Sequence, residues 1–291
     1  MGRNFDITTD SCCGMPQEFT EANEIAVLPL GYTVDGKTYG GAENETLPLK
    51  ELYARLRTGS DCHTFQVTAE QARPQIEKSF KKGRDVLIVA FSSALSGTAS
   101  SFTVAANELT ELYPDRKAYV LDSLSGSMGQ GMLIEYLIEK AEAGATFEEV
   151  CAYGEKLKRR IQHLFTVDDL EFLRKGGRIS GAVAVVGKLL KIKPLLHATP
   201  KGTLAPIAKI VGRKRSLEAL ADEAKKRAEL SPEDPVFIAH GDCEEEALRL
   251  QALLEERLGK RRFLINYMDP VMGTHGGPGI IAVFFKGKIR E

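Results

Sequence analysis

The chain has 291 residues, with 39 Lys plus Arg, 40 Asp plus Glu and a formal net charge of −1 at pH 7. This length suffices for two domains of ordinary size, and the balanced charge gives no overall attraction to nucleic acid or to an anionic membrane. No apolar run reaches the roughly 18 residues that cross a bilayer, and the chain enters a strand-like segment almost at once, so neither a signal peptide nor an integral membrane segment is expected. We therefore expect a cytoplasmic protein whose five cysteines are reduced.

The first half of the chain alternates segments typical of strands and of helices. Strands are predicted at 5–10, 26–34, 85–91 and 117–122, and helices at 49–57, 77–82, 99–112 and 129–143. A further helix at 146–161 begins with the capping box formed by Thr146 and Glu149. This alternation predicts an α/β fold in which a mostly parallel sheet is covered by helices on both faces.

The second half of the chain predicts a separate α+β domain. The predicted segments are a short helix in 168–180 that ends at its two glycines, an apolar helix at 182–190, a hairpin in 193–209, a basic helix at 213–229, strands at 236–240, 262–268 and 279–285, and a helix at 244–258. We place the boundary near residue 162, which gives an N-terminal α/β domain at 1–161 and a C-terminal α+β domain at 162–291.

A turn rich in hydroxyl groups follows the strand predicted at 85–91. Ser92, Ser93 and Ser96 precede a helix, so hydroxyls, free backbone N–H groups and the positive end of the helix dipole come together. Similar turns end the strands near residues 10 and 122, and ligands of open parallel sheets bind at the carboxyl ends of strands. We expect the three turns to form one anion site. The residues alone do not decide whether the bound anion is a phosphate, a carboxylate or a catalytic oxyanion.

Two of these anions require motifs that the sequence lacks. No P-loop and no dinucleotide fingerprint follows a predicted strand, so nucleotide binding has no support. A serine-dependent esterase or thioesterase would use Ser93 or Ser96 with His240 or His275 and with Asp242, but no G-x-S-x-G elbow is present. This hydrolase stays an alternative hypothesis.

A metal site has weaker support still. The adjacent Cys12 and Cys13 have no second Cys/His pair at zinc-ligand spacing nearby. His240, Asp242, Asp269 and His275 show no pair spaced for one face of a helix. We therefore expect no metal.

His275 lies among glycines in GTHGGPGII at 273–281. We interpret this segment as a loop that turns sharply before a strand, so that His275 faces a ligand between the domains. In HTFQVT at 63–68, Thr68 is predicted to cap a helix, whereas Thr64 lies in an extended stretch.

With these segments in place, the chain resembles the DegV family of bacterial fatty-acid-binding proteins nearly from end to end. The resemblance rests on ordered motifs, which are TDSCCGMP at 9–16, PLGYTVDGKTY at 29–39, TFQVT at 64–68, SSALSGTASS at 92–101, DSLSGSMGQG at 122–131, DLEFLRKGGRIS at 169–180, LLKIKPLL at 189–196, HGD at 240–242 and GTHGGPG at 273–279. It implies a two-domain protein that does no chemistry itself and uses no cofactor. Such a protein holds one long-chain fatty acid, such as palmitate, stearate or oleate, in a tunnel between its domains.

The same resemblance implies the residues of the site. Those that bind the carboxylate or lie near it are Thr64, Ser93 as first choice, Ser92 next, Ser96 and His275. Family members present the acid to a fatty acid kinase, which phosphorylates the carboxylate, and carry the acyl phosphate onward toward phospholipid synthesis. Candidates for contacting that partner or the phosphate are Arg178, Lys209 and Arg213. Transient contact with a membrane is also expected.

The chain departs from the usual family pattern at three places. Phe65 and Val67 stand within TFQVT where T-S-Q-P-S is usual, and Gly276 replaces a threonine after His275. Val211 stands where kinase-coupled members tend to carry an arginine. A lipid-responsive regulatory protein, whose output is a contact with another protein, therefore stays a second alternative.

Overall fold

The structure of the chain is a computed structural model, and it describes residues 3–179 and 192–290. The strands are β1 (Phe5–Asp10), β2 (Ile25–Leu28), β3 (Gly31–Val34), β4 (Lys37–Gly40), β5 (Cys62–Phe65), β6 (Asp85–Ala90), β7 (Ala118–Asp122), β8 (Ile161–Thr166), β9 (Ile192–Ala198), β10 (Leu204–Val211), β11 (Val236–His240), β12 (Phe263–Tyr267) and β13 (Ile281–Lys286). The helices are α1 (Gln17–Ala22), α2 (Leu49–Arg57), α3 (Ala69–Lys81), α4 (Thr98–Leu112), α5 (Met128–Glu142), α6 (Phe147–Leu157), α7 (Glu171–Lys175), α8 (Arg213–Arg227), α9 (Glu244–Leu258) and α10 (Pro270–Gly276). The helix predicted at 182–190 lies outside the described residues.

The first sheet is parallel, with the strand order β2-β1-β6-β7. Strand β6 is apolar on both faces: Val86 and Ile88 pack toward α3 and α4, and Leu87 and Val89 pack toward α5 and α6. A strand buried on both faces needs a continuous apolar run, which is what residues 85–91 provide. The predicted parallel sheet with helices on both faces is therefore confirmed.

The second sheet has the order β10-β9-β8-β13-β11-β12 and is antiparallel except between β11 and β12. Helices α8 and α9 cover its outer face. Helix α5 lies between the two sheets and contacts both, so most of its residues, including Met132 and Leu133, are fully buried. The second domain is thus α+β as predicted, and the two sheets share a core through α5. The exact boundary near residue 162 stays a prediction.

A small antiparallel sheet, β4-β3-β5, extends from the first domain. It corrects the single strand predicted at 26–34, which is two strands in different sheets. Pro29 lies between them and has no N–H to continue a ladder. In the small sheet Thr64 of β5 pairs with Tyr32 of β3, and α10 packs against both strands. The small sheet therefore brings Thr64 to the second domain.

Several local predictions are confirmed at the level of hydrogen bonds. Thr68 and Thr146 each cap a helix in a complete capping box. The hairpin β9–β10 closes between Thr199 and Thr203, with Gly202 at a φ of +77°.

All five cysteines are free. In residues 3–179 and 192–290, no helix is long and apolar enough to cross a membrane, and no group of three or more His, Cys, Asp or Glu side chains is placed to hold a metal.

Candidate functional site

The turns that follow β1, β6 and β7 meet at one edge of the parallel sheet. The carboxylate of Asp10 accepts a hydrogen bond from Phe91 N–H at 2.8 Å, and Ser92 N–H donates to Ser125 O at 2.9 Å. Asp122, at the end of β7, accepts from both Ser93 N–H and the Ser93 hydroxyl. The predicted convergence of the three turns is therefore confirmed.

An apolar chamber lies next to these turns, between the parallel sheet and the second sheet. Its lining residues are Phe91, Leu95, His163, Phe165, Leu173, Arg178, Leu204, Met268, Met272, His275, Gly276 and Ile280. The chamber holds only about 30 Å³, and its walls expose almost no polar surface. Open clefts of about 580 Å³ and 630 Å³ lie beside it, and Arg178 lines both clefts as well as the chamber.

Thr64 of β5 and His275 of α10 meet beside the chamber. Nε2 of His275 lies 2.8 Å from Oγ1 of Thr64, and both residues line the 580 Å³ cleft. Burial, and next to it the charge of Arg178, lowers the pKa of His275 to about 4. The imidazole is therefore neutral at pH 7 and offers one donor and one acceptor. The structure thus brings together two of the predicted site residues, from opposite domains.

The fold around His275 differs from the expected glycine loop. His275 lies in the last turn of α10, which begins with Pro270 in the first turn and with Asp269 as its cap, accepting from Val271 N–H and Met272 N–H. The signal that could have found this helix is the Asp-Pro pair, a capping residue followed by a proline that needs no N–H. The loop prediction was wrong, and a helix fixes the imidazole more firmly.

At two positions near His275 a side chain would collide with a neighbour, so glycine is required there. A Cβ on Gly176 would lie 2.1 Å from Nδ1 of His275, so only glycine fits against the ring. A Cβ on Gly276 would lie 2.4 Å from Cδ1 of Ile280, a residue of the chamber wall. The departure from the family's threonine at 276 is thereby explained, because Ile280 fills the space that its side chain would need.

Arg178 supplies the positive charge of this region. Its guanidinium donates two hydrogen bonds to Leu95 O, at 2.9 and 3.1 Å, and another to Gly176 O. Burial lowers its pKa, but an arginine remains a cation at neutral pH. It was predicted as a contact for a partner or phosphate. The structure places it beside His275, where an anionic head group would find a cation, and its role toward a partner or phosphate stays a prediction.

The serines of the turn are held by bonds within the protein. Ser92 is fully buried and donates to Gly202 O at 3.0 Å. The exposed Ser93 donates to Asp122 Oδ2 at 2.5 Å, and the hydroxyl of Ser96 lies 2.9 Å from that of Thr98. None of the three serines is among the chamber-lining residues. Their role as carboxylate ligands stays a prediction, and Ser93 would have to exchange Asp122 for the ligand.

The other basic candidates have different surroundings. Lys209 is exposed on β10. Arg213 is largely buried and bonds Glu246 Oε2 at 2.6 Å and Gly279 O at 2.7 Å. Arg213 therefore ties the start of α8 to α9 and to the loop between α10 and β13, and its role toward a partner stays a prediction.

The serine hydrolase finds no support in the geometry. His240 Nδ1 accepts from Cys243 N–H at 3.3 Å, and Asp242 pairs with Arg57 and accepts from the Tyr267 hydroxyl. In the part of the chain that the structure describes, neither Ser93 nor Ser96 has a histidine partner. A nucleophile needs such a base within hydrogen-bond reach.

The sequence did not indicate the burial of three ionisable residues near the chamber, Asp10, Asp269 and His163. Burial raises the pKa of Asp10 to about 6, and burial together with the neighbouring Asp10 raises that of Asp269 to about 7. His163, fully enclosed on β8, has its pKa lowered to about 3 by burial. Burial also raises the pKa of Cys12 and Cys13, the latter to about 12, so neither thiol is reactive.

Comparison with known proteins agrees with this architecture. A family model described as "Uncharacterised protein, DegV family" matches residues 4–288. A DegV domain-containing protein of Clostridium perfringens is 38% identical over 289 residues, which cover 99% of this chain and 99% of that protein.

Solved structures show the same fold over almost the whole chain. A DegV family protein from Thermus thermophilus, described by its fatty acid binding, superposes with a TM-score of 0.88 at 28% identity, covering 98% of this chain and 100% of that one. A Thermotoga maritima protein, described as having a fatty acid binding function, gives a TM-score of 0.83 at 28% identity over 98% and 100% of the two chains. The chain belongs to the DegV family.

Proposed function

We propose that this protein binds one long-chain fatty acid between its two sheets, with the carboxylate at Thr64, His275 and Arg178 and the acyl chain in the apolar chamber. The observation that carries this proposal is the 2.8 Å pair of Thr64 and His275 beside a guanidinium at the edge of that chamber. The fatty acid binding described for the relatives from Thermus thermophilus and Thermotoga maritima supports it.

Burial of the acyl chain accounts for affinity, and the polar groups account for orientation. Each buried CH₂ contributes roughly 0.8 kcal/mol, so a long saturated chain needs little help from its head group. Two neutral side chains and one cation suffice to fix which end of the ligand faces the cleft.

The chamber must widen before such a ligand enters. Its volume of about 30 Å³ matches the space of one water molecule in the liquid, far less than an acyl chain occupies. Met268 and Met272 form part of the wall, and unbranched thioether side chains change shape at small cost. We therefore place the opening movement at these methionines.

Thr64→Val should weaken stearate binding by about fivefold to tenfold, the value of one hydrogen bond to the head group. The fold should persist, because valine suits a strand and has nearly the same shape. Titration calorimetry of stearate into the wild type and the variant measures the change. Ser93→Ala, titrated alongside, should show a similar loss if Ser93 leaves Asp122 to bind the carboxylate.

Thr33→Val is the matched control for these titrations. Thr33 lies on β3 of the same small sheet and lines neither the chamber nor the cleft beside Thr64. Its variant should bind stearate as the wild type does. Wild-type affinity in the Thr64 and Ser93 variants alike would place the head group elsewhere.

We further propose that the bound acid is presented to a fatty acid kinase, which forms the acyl phosphate at the exposed carboxylate. The open cleft beside Thr64 and His275 supports this, because the head group would face a space of about 580 Å³ from which a second protein could approach. A kinase that uses ATP would act in the cytoplasm, so the protein that presents the acid to it would act there too. With a fatty acid kinase and ATP, the loaded protein should support ATP consumption in proportion to bound oleate. Consumption no greater than without the protein would contradict this step.

A further inference from the structure

One ring nitrogen in the wall of the acyl-chain chamber has no hydrogen-bond partner among the residues that the structure describes. His163 is 4% exposed and lies between the rings of Phe165 and Phe284, at 5.3 and 4.5 Å between centroids. Its Nδ1 is buried, and no described residue forms a hydrogen bond with it. Buried polar atoms in native proteins nearly always have a partner, so this nitrogen calls for an explanation.

The position of His163 along β8 places it deep in the chamber. Thr166 pairs with Ile281 at the end of the sheet next to α10, whereas His163 pairs with Phe284, three residues further along. At about 3.3 Å per residue, His163 lies roughly 10 Å into the sheet from that end. His275, by contrast, lies on α10 itself. The two histidines therefore lie at different depths, and a chain bound with its carboxylate at His275 would bring its middle near His163.

The chemistry of the ring limits what could pair with it. Burial keeps His163 neutral, so one ring nitrogen donates and the other accepts. A hydroxyl both donates and accepts, and so can pair with Nδ1 in either tautomer. An unsubstituted methylene chain can do neither and would leave the nitrogen unpaired in an apolar wall.

Resting on the proposed fatty acid site, we infer that the chamber accepts a fatty acid with a hydroxyl group in the middle of its chain, and that His163 is the hydrogen-bond partner of that hydroxyl. The apolar wall on either side of His163, from Phe91 to Met268, holds the methylenes that flank the hydroxyl. His163 then determines whether the chamber prefers an acid with a hydroxyl in the middle of its chain. The residues that bind the carboxylate do not contribute to this preference.

The test compares dissociation constants of stearate, 2-hydroxystearate and 10-hydroxystearate for the wild type and for His163→Phe. Phenylalanine keeps an aromatic ring between Phe165 and Phe284 but removes the hydrogen bond. We expect the preference for 10-hydroxystearate over stearate to fall about tenfold in the variant. The preference for 2-hydroxystearate over stearate should not change in the variant, because the hydroxyl of 2-hydroxystearate lies next to the carboxylate.

His197→Phe is the control, since His197 lies on β9, bonds Arg227 and does not line the chamber. The His197→Phe variant should prefer 10-hydroxystearate over stearate by the same factor as the wild type. If His163→Phe does not fold, the wild type alone decides: binding 10-hydroxystearate no better than 2-hydroxystearate would overturn the inference. Equal preferences in the wild type and His163→Phe, with stearate still bound, would overturn it too and leave the proposed function standing. A wild type that binds none of the three acids would overturn both.

Discussion

Phe165→Ala should lower the free energy of unfolding by about 3–5 kcal/mol, a large part of the 5–15 kcal/mol typical of a domain. Phe165 is 2% exposed and belongs to the core that both sheets share through α5. That helix is packed on both sides, so its backbone cannot move into the space that the ring leaves. Urea unfolding followed by circular dichroism measures the loss.

Stearate should stabilise Phe165→Ala more than it stabilises a variant of the neighbouring Leu164. Leu164→Ala removes a fully buried side chain from the opposite face of β8, at a cost of about 2–5 kcal/mol, and leaves the chamber unchanged. Because Phe165 lines the chamber, an acyl chain can fill the new cavity only in Phe165→Ala. Stearate should therefore raise the melting temperature of Phe165→Ala more than that of Leu164→Ala. Equal rises would mean that the acyl chain does not pass Phe165.

Gly176→Ala should reduce stearate affinity at least tenfold without unfolding the protein. The added methyl would lie 2.1 Å from Nδ1 of His275 and 2.9 Å from Cε1, so the ring must shift and cannot keep its 2.8 Å pairing with Thr64 unchanged. The backbone of Gly176 is helical, with φ −70° and ψ −8°, and alanine adopts that conformation without strain. Calorimetric titration gives the affinity, and a thermal melt shows that the fold is retained.

Gly177→Ala is the matched control one residue away. Gly177 has a φ of +70°, and nothing lies within 4 Å of its added methyl. The substitution should therefore cost about 1 kcal/mol of stability through backbone strain and leave stearate affinity unchanged. If the two alanine variants bind alike, the contact between Gly176 and His275 does not hold the head-group site.

Local patterns predicted most of the fold because each rests on one physical rule. The apolar run at 85–91 could only be a strand buried on both faces, and the threonines at 68 and 146 could each satisfy a helix terminus. The prediction of one strand at 26–34 was wrong, because β propensity does not indicate which sheet a segment joins, and the segment forms two strands in different sheets. Only the break at Pro29 carried that information.

The site was less accessible to sequence reasoning. Thr64 and His275 are 211 positions apart, and no periodicity brings them together, so their pairing rested on the resemblance alone. The resemblance also named Ser93, whose hydroxyl the structure directs to Asp122. Nothing in the sequence pointed to His163, because a single histidine in a buried strand is unremarkable. Only the structure shows that its Nδ1 is buried without a hydrogen-bond partner among the described residues.

Native mass spectrometry of the purified protein should show a species heavier than the 291-residue chain by one long-chain fatty acid. After the lipid is removed, the folded protein should take up one equivalent of stearate or oleate and return to the heavier species. A delipidated protein that keeps its circular dichroism spectrum yet takes up neither acid would show that this protein does not bind fatty acids.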